Sequence, residues 1–410
     1  MLRTMILTAL LCLLPVITAS AQDIQPLYGQ EDFTSGSANQ GGIATETTLN
    51  TPTGIVIDSD GGITIADTGN HRVLYYMVDG NTLANQVYGQ ADNFSAHIVN
   101  NSGTGYSGPP NEGTLSSPTA VAIDTGGSLY VADEGNHRVL VFANDGGSQA
   151  DRVYGQFGNL MHNVINNDGA NFYGEPTANN LGAYIGGLTI DSQNGLYVAD
   201  SANHRVLYFA NDGDATADRV YGQCDIFVTA IRNNNCLGAI AFPTEFNLNF
   251  PTGLAVDSTD GLLVADRDNN RVLYFANDGD TAANQVWGQF GQYTTNAENN
   301  DGAGSIGGPN PDNLSHPNAI AFAPDFGIYI ADTLNNRVLY YANDGDTTAN
   351  QVWGQFDDFM TGTANNNGHG LVGSASTNNL YIPSGLALDN EGNIYVTDTG
   401  NHRALVLAAG

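Results

Sequence analysis

One ten-residue phrase, Ala66-Asp-Thr-Gly-Asn-His-Arg-Val-Leu-Tyr75, constrains this chain more than any other feature. It returns from Ala132, Ala199, Ala265 and Ala331, and last from Thr397 as Thr-Asp-Thr-Gly-Asn-His-Arg-Ala-Leu. The aspartates that lead it are Asp67, Asp133, Asp200, Asp266, Asp332 and Asp398, a period of 66 residues with one step of 67. A unit of this kind cannot bury its own apolar face and must stack on its neighbours. Length alone would suggest two or three domains; the unbroken repeat overrides that prior.

Each unit reads as four short strands. Leu-x-x-Pro precedes an apolar run such as Gly54-Ile-Val-Ile-Asp58 or Gly253-Leu-Ala-Val-Asp257. A Gly-rich turn leads to Ile63-Thr-Ile-Ala-Asp67, the Thr-Gly-Asn turn to Arg72-Val-Leu-Tyr-Tyr76, and an Asp-Gly turn to Gln86-Val-Tyr-Gly-Gln90. Turn signals every eight to twelve residues between such runs specify an antiparallel meander, and helical periodicity is absent. Four-stranded units repeated radially make an all-β, six-bladed β-propeller. The sixth unit stops at Leu407-Ala-Ala-Gly410 after three strands, and an orphan fourth strand, Gln25-Pro-Leu-Tyr-Gly-Gln30, lies near the start. The N-terminal strand is therefore expected to complete the last blade, so that no sheet edge lacks a neighbour. The expected layout is a closing strand at 22–30 and blades at about 50–90, 116–156, 184–223, 249–289, 315–355 and 382–410, within one propeller spanning 22–410.

The phrases Asn-His-Arg-Val-Leu, Asn-Asn-Arg-Val-Leu (from Asn269 and Asn335) and the preceding Pro-x-Gly-x-x-x-Asp resemble NHL repeats. The resemblance covers nearly all of the chain after residue 21 and is carried by six matches. The long spacing is similar to that of exported bacterial members, and it exceeds the family's usual period because of inserts between blades. The resemblance implies recognition of protein partners or cell-surface polymers.

Arg3, the apolar run Ile6–Ile17 and the small-residue exit Thr18-Ala-Ser-Ala21 describe a secretory signal peptide at 1–21. Secreted or extracellular placement, with the periplasm as a variant, follows from it. Cys12 lacks the small residues that lipoprotein processing needs before it, so a lipid anchor is set aside. That leaves Cys224 and Cys236, which in an exported chain read as a disulfide; two buried free thiols are the alternative. The chain holds 42 acidic residues against 11 basic ones, all arginine, for a net charge of −31. Such a field repels polyphosphates, so nucleic acid and anionic membranes are poor partners. No apolar run is long enough for membrane insertion.

Strand order puts the Asp-x-x-Asn-His-Arg turns and the inserts of 20 or more residues on the same face of the ring. Loops that long are functional or disordered, and six on one side make that side the candidate functional face. Counted from each Gly-Gln, Gly103, Gly169, Gly302 and Gly368 fall thirteen residues on, as does Cys236, while Cys224 stands where Phe157, Phe290 and Phe356 do. The inserts therefore read as folded, hairpin-like excursions, with low-complexity Asn/Gly tails as the competing reading.

The pairs Asp67–Arg72, Asp133–Arg138, Asp200–Arg205, Asp266–Arg271, Asp332–Arg337 and Asp398–Arg403 could form a binding ring. Their presence in every unit favours a structural role. His71, His137, His204 and His402 are replaced by Asn270 and Asn336, which can share a hydrogen bond but not a zinc. Asn-Asp-Gly-Asp turns at Asn211, Asn277 and Asn343 offer oxygen ligands to calcium, yet they are equally ordinary hairpin turns; no metal or other cofactor is assigned. The fourth-strand aromatics Tyr28, Tyr88, Tyr154, Tyr221, Trp287 and Trp353 read as sheet packing. Aromatics confined to inserts, Phe94, Tyr106, Tyr173, Phe227, Tyr293 and Phe359, are better ligand candidates. The inner strands carry no ionisable side chain, and His316 is the one irregular titratable group expected near the channel mouth. No catalytic residue is assigned. The leading reading is an exported scaffold that binds a protein or surface polymer through the insert-bearing face. The alternatives are a lyase- or lactone-hydrolase-type propeller enzyme with a metal at the channel mouth, and a structural module of a surface or matrix assembly.

Overall fold

The computed structural model describes residues 26–407; the expected signal peptide and Cys12 lie outside the described residues. Six four-stranded antiparallel sheets form a β-propeller, with helix limited to single 3₁₀ turns. In blade 1 the strands are Pro52–Ile57, Ile63–Asp67, Arg72–Tyr76 and Gln86–Tyr88, running from the centre outward, and the other blades repeat this order. Second and third strands are buried along nearly their whole length, because a blade packs on neighbours through both faces. The fourth-strand aromatics fill those interfaces. Tyr88 packs on Phe142 of the next blade, Tyr154 on Phe209 and Tyr221 on Phe275, with ring centroids 5.0–5.3 Å apart.

Close approach of the inner strands at the axis explains the glycine in the Pro-x-Gly phrase. A Cβ on Gly385 would stand 2.2 Å from the Thr53 carbonyl oxygen of the next blade.

The ring closes as the sequence predicts. Leu27–Tyr28 pairs antiparallel with Arg403–Leu407, in the register Leu27↔Leu405 and Tyr28↔Ala404. Tyr28 then packs on Tyr76 of blade 1 at 4.9 Å, as its siblings do on their neighbours. Two residues of strand are a weak seam, and side chains reinforce it. Arg403 donates to the Phe33 carbonyl at 2.7 Å, Gln30 to the His402 carbonyl at 3.1 Å, and the Thr51 amide to His402 Nδ1 at 2.9 Å. The segment 31–51 thus serves as the sixth insert.

Candidate functional site

The motif residues hold the insert face together. In every blade the aspartate and arginine side chains are fully buried, with Nε–Oδ2 distances of 2.6–2.7 Å. Asp67 Oδ1 accepts the Asn50 amide, and its Oδ2 accepts from Asn70 and Arg72. Arg72 then reaches both ways: Nη1 donates to the Phe94 carbonyl in the following insert, and Nη2 to the Thr45 and Thr48 carbonyls, 2.8 Å each, in the preceding one. Arg138, Arg205, Arg271, Arg337 and Arg403 repeat the clamp on Leu160, Phe227, Tyr293, Phe359 and Phe33. Burial pushes the Asp67 carboxyl up while Arg72 pulls it down; the donors it collects supply what a buried carboxylate needs. These twelve side chains are walled off from solvent and tie each insert to its blade.

The Asn-Asn phrase completes the anchoring. Asn100 and Asn136 exchange amide hydrogen bonds, as do Asn166 with Asn203 and Asn299 with Asn335. The second asparagine donates to the Gly-Gln glutamine, Asn101 to Gln90 at 3.1 Å, and its own oxygen caps the Gly103 amide. Hairpins follow, closed at Asn101↔Ser107, Asn167↔Tyr173, Asn234↔Ile240, Asn300↔Ile306 and Asn366↔Val372. The inserts are folded, and Cys224–Cys236 forms the disulfide. A Cβ on Gly169, Gly302 or Gly368 would touch the ring of Phe157, Phe290 or Phe356 at 3.4–3.6 Å, so the cystine replaces an aromatic–glycine contact. A disulfide points to a non-cytoplasmic environment.

This geometry divides the six insert aromatics into two groups. Phe94, Phe227, Tyr293 and Phe359 are half-buried plugs packed on the blade cores beneath the inserts, and their carbonyls are the ones the arginines hold. Their one-per-insert spacing is the signature of that anchoring role. Tyr106 and Tyr173, by contrast, sit at the hairpins and are 78% and 73% exposed. Other hairpins show Leu237, Ile240, Phe242, Ile306 and Val372 to solvent in the same region. The aliphatic ones among these escape a sequence search for aromatics; alignment of each insert on its Asn-Asn finds them.

Three of the four motif histidines, His71, His204 and His402, behave as turn acceptors, while His137 Nδ1 is buried without a partner among the described residues. His71 Nδ1 accepts the Ser117 amide at 3.0 Å and His204 Nδ1 the Phe250 amide at 3.1 Å. Asn270 and Asn336 do the same with Oδ1, to His316 and Ile382, both at 2.9 Å. Burial lowers the pKa of His71, His204 and His402, which keeps the accepting nitrogen free of a proton. In the Asn-Asp-Gly-Asp turns, Asp212, Asp278 and Asp344 each accept the amide two residues on, as hairpin turns do. Among the described residues, no helix is long and apolar enough to cross a membrane.

Where the repeat breaks, the breaks gather at the channel mouth on the insert face. The residue after each motif aspartate is Thr68, Glu134, Ser201, Arg267, Thr333 and Thr399. Four hydroxyls donate to the next blade, for example Thr68 to the Pro118 carbonyl and Thr333 to that of Pro383. Glu134 and Arg267 do not make this bond. Thr119 and Thr252 take over those carbonyls, at Ile185 and Pro317, which leaves both charged side chains without that structural duty. The 67-residue step inserts one residue near Ala183, and Tyr184 stands where Thr51, Ser117, Phe250, His316 and Ile382 precede the first strands of the other blades. Its ring lies 5.2 Å from Phe250, over which the Arg267 guanidinium sits at 5.4 Å. Arg267 also pairs with Asp268 at 2.9 Å, and His316 Nε2 stands 4.0 Å from the same carboxylate. His316 is therefore one of several irregular groups at the mouth, not the only one. The position after the motif aspartate was the signal that would have found Glu134 and Arg267.

Comparison with known proteins agrees with this architecture. The NHL repeat is matched at residues 49–76, 115–142, 183–209, 248–275 and 380–405. NHL repeat-containing protein 2 of Gallus gallus is 25% identical over 370 residues, covering 87% of this chain and 46% of that protein. The chain thus spans less than half the length of this relative. A structural-genomics protein of unknown function from Bacteroides thetaiotaomicron shares the fold at TM-score 0.50 and 15% identity, covering 92% of this chain and 72% of that one. Virginiamycin B lyase from Staphylococcus aureus gives TM-score 0.47 at 12% identity, covering 90% and 98%.

Proposed function

The chain belongs to the NHL-repeat proteins, and from that premise we propose that it is an exported recognition scaffold. Its insert-bearing face binds a protein or a cell-surface polymer, with no cofactor. The observation that carries the reading is the repeated exposure of large apolar side chains on hairpins whose bases are fixed by buried arginines. An ordinary soluble surface scatters such residues singly; grouping them on one face is the pattern of interaction surfaces. Fixing the bases lowers the ordering cost of binding. The acidic field turns away nucleic acid. The expected secretion rests on the N-terminal sequence and on the disulfide.

The test is retention of partners from extracellular extract, and a glycan array, with the chain beginning at residue 22. A variant carrying Phe172→Ser, Tyr173→Ser, Leu237→Ser and Phe242→Ser, all at exposed positions, should keep the wild-type melting curve and lose the retained partner. Equal retention by both proteins, or nothing retained by either, would count against the reading and favour a purely structural module.

A further inference from the structure

We propose that the channel mouth on the insert face binds an organic cation, an amine or guanidinium group, with Glu134 as its counter-ion and the Tyr184 ring as its cation–π platform. The neighbouring blade already contains a version of this contact. Phe250 precedes the first strand of blade 4 as Tyr184 precedes that of blade 3, and Arg267 of blade 4 lies over the Phe250 ring. In blade 3 the residue equivalent to Arg267 is Ser201, whose hydroxyl is spent on the Pro251 carbonyl. Among the described residues the cation–aromatic contacts are Arg267 over Phe250 and Arg152 over Tyr154, so no cation of the chain covers Tyr184.

Glu134 supplies the charge. Burial first and then Glu134 raise the Tyr184 phenol pKa, with Arg267 pulling it down, and Thr119 has relieved Glu134 of the contact its siblings make. Tyr184 also lines the end of the channel, with Thr53, Thr119, Asn318 and Ser384 as polar neighbours. Around the mouth Asp268 offsets Arg267, which leaves Glu134 and Glu298 as the charge excess, in a chain of net charge −31. Such a field attracts cations and concentrates them at a cleft.

Burial, with repulsion from Asp133, lifts the Glu134 carboxyl to about 7. Asp133 on the same turn is held by Arg138, Tyr184 faces it from blade 3, and Arg267 acts on the same phenol from blade 4. Burial keeps His137, on the same turn, below its ordinary pKa. An arriving cation would therefore ionise Glu134 and expel a proton, and binding should tighten as pH rises through 7.

The ligand's source is either a free amine or a basic side chain of a partner, and calorimetry separates them. The chain from residue 22 is titrated with n-butylammonium, with butylguanidinium and with a lysine-containing peptide, in two buffers of different ionisation enthalpy. We expect one saturable site, with release of about half a proton per ligand at pH 7. Glu134→Thr restores the sibling hydroxyl and so should fold, yet it should weaken binding by about tenfold, as should Tyr184→Ala. Glu134→Gln should abolish proton release. Asp79→Asn, on the opposite face, should change nothing. Binding by the peptide but not the free amines would assign the source to a partner's side chain; binding by the amines would assign it to a small molecule. No binding in any arm would overturn the proposal, as would equal affinity in wild type and Glu134→Thr, the mark of diffuse attraction. The proposal rests on the insert face being the recognition face, but the two separate cleanly. A saturable titration with no partner retained on extract would sink the broader reading alone.

Discussion

At the scale of single residues, the buried Asp–Arg clamp is where a small change should cost most. Each guanidinium holds one carboxylate and carbonyls in two different inserts, and none of it is exposed. Removing one partner of a buried, hydrogen-bonded pair costs about 3–5 kcal/mol, because the other is left charged and desolvated. Against a typical total stability of about 5–15 kcal/mol that is a large share. Arg205→Ala should therefore lower the urea midpoint markedly, whereas Arg232→Ala, in an insert and outside any clamp, should leave it within error. Equal effects would contradict the clamp. The histidine turns give a pH test. Burial lowers the folded pKa of His71, His204 and His402 below the ordinary 6.5, so their contribution is complete above that value and drains as pH falls through the folded pKa. The triple variant His71→Asn, His204→Asn, His402→Asn copies Asn270 and Asn336. It should match wild type in urea unfolding at pH 8 and exceed it at pH 5. Parallel losses at both values would show that the imidazoles do something more.

At the scale of elements, the inserts fold because each is anchored at three places: the arginine clamp, the paired asparagines and the glutamine of Gly-Gln. The cystine is a local substitute for a phenylalanine–glycine contact, so its reduction should loosen residues 224–250 and leave the blades intact. Hydrogen exchange under mild reductant should show faster exchange there alone; Cys224→Phe with Cys236→Gly, copying the siblings, should exchange slowly with or without reductant. Faster exchange across the blade strands would refute a local role. Strands, turns and the cystine were legible in the sequence because each follows from local chemistry repeated six times. The placement of the insert aromatics was not. Phe94 and Tyr106 are alike as letters, and only the packing of one beneath its insert separates them from each other. Glu134 and Arg267 were legible in principle, as departures in an otherwise hydroxyl-bearing column, but their place at the channel mouth comes from the closure of the ring.

At the scale of the whole molecule, the ring makes an asymmetric object out of nearly equivalent units. Long loops crowd one face, and the irregular charges sit over blades 2 to 5 on that face. Closure is what gives both features a fixed geometry, and it depends on a strand of two residues plus the contacts of Gln30, Phe33 and Thr51 with the last blade. Thermal unfolding of two truncations tests this most directly. A chain starting at residue 26 should melt as the chain starting at residue 22 does. One starting at residue 34, without the seam, should melt far lower and over a broader range, because blade 6 loses its fourth strand and Arg403 its Phe33 carbonyl. Coincident melting curves for the two truncations would contradict the account.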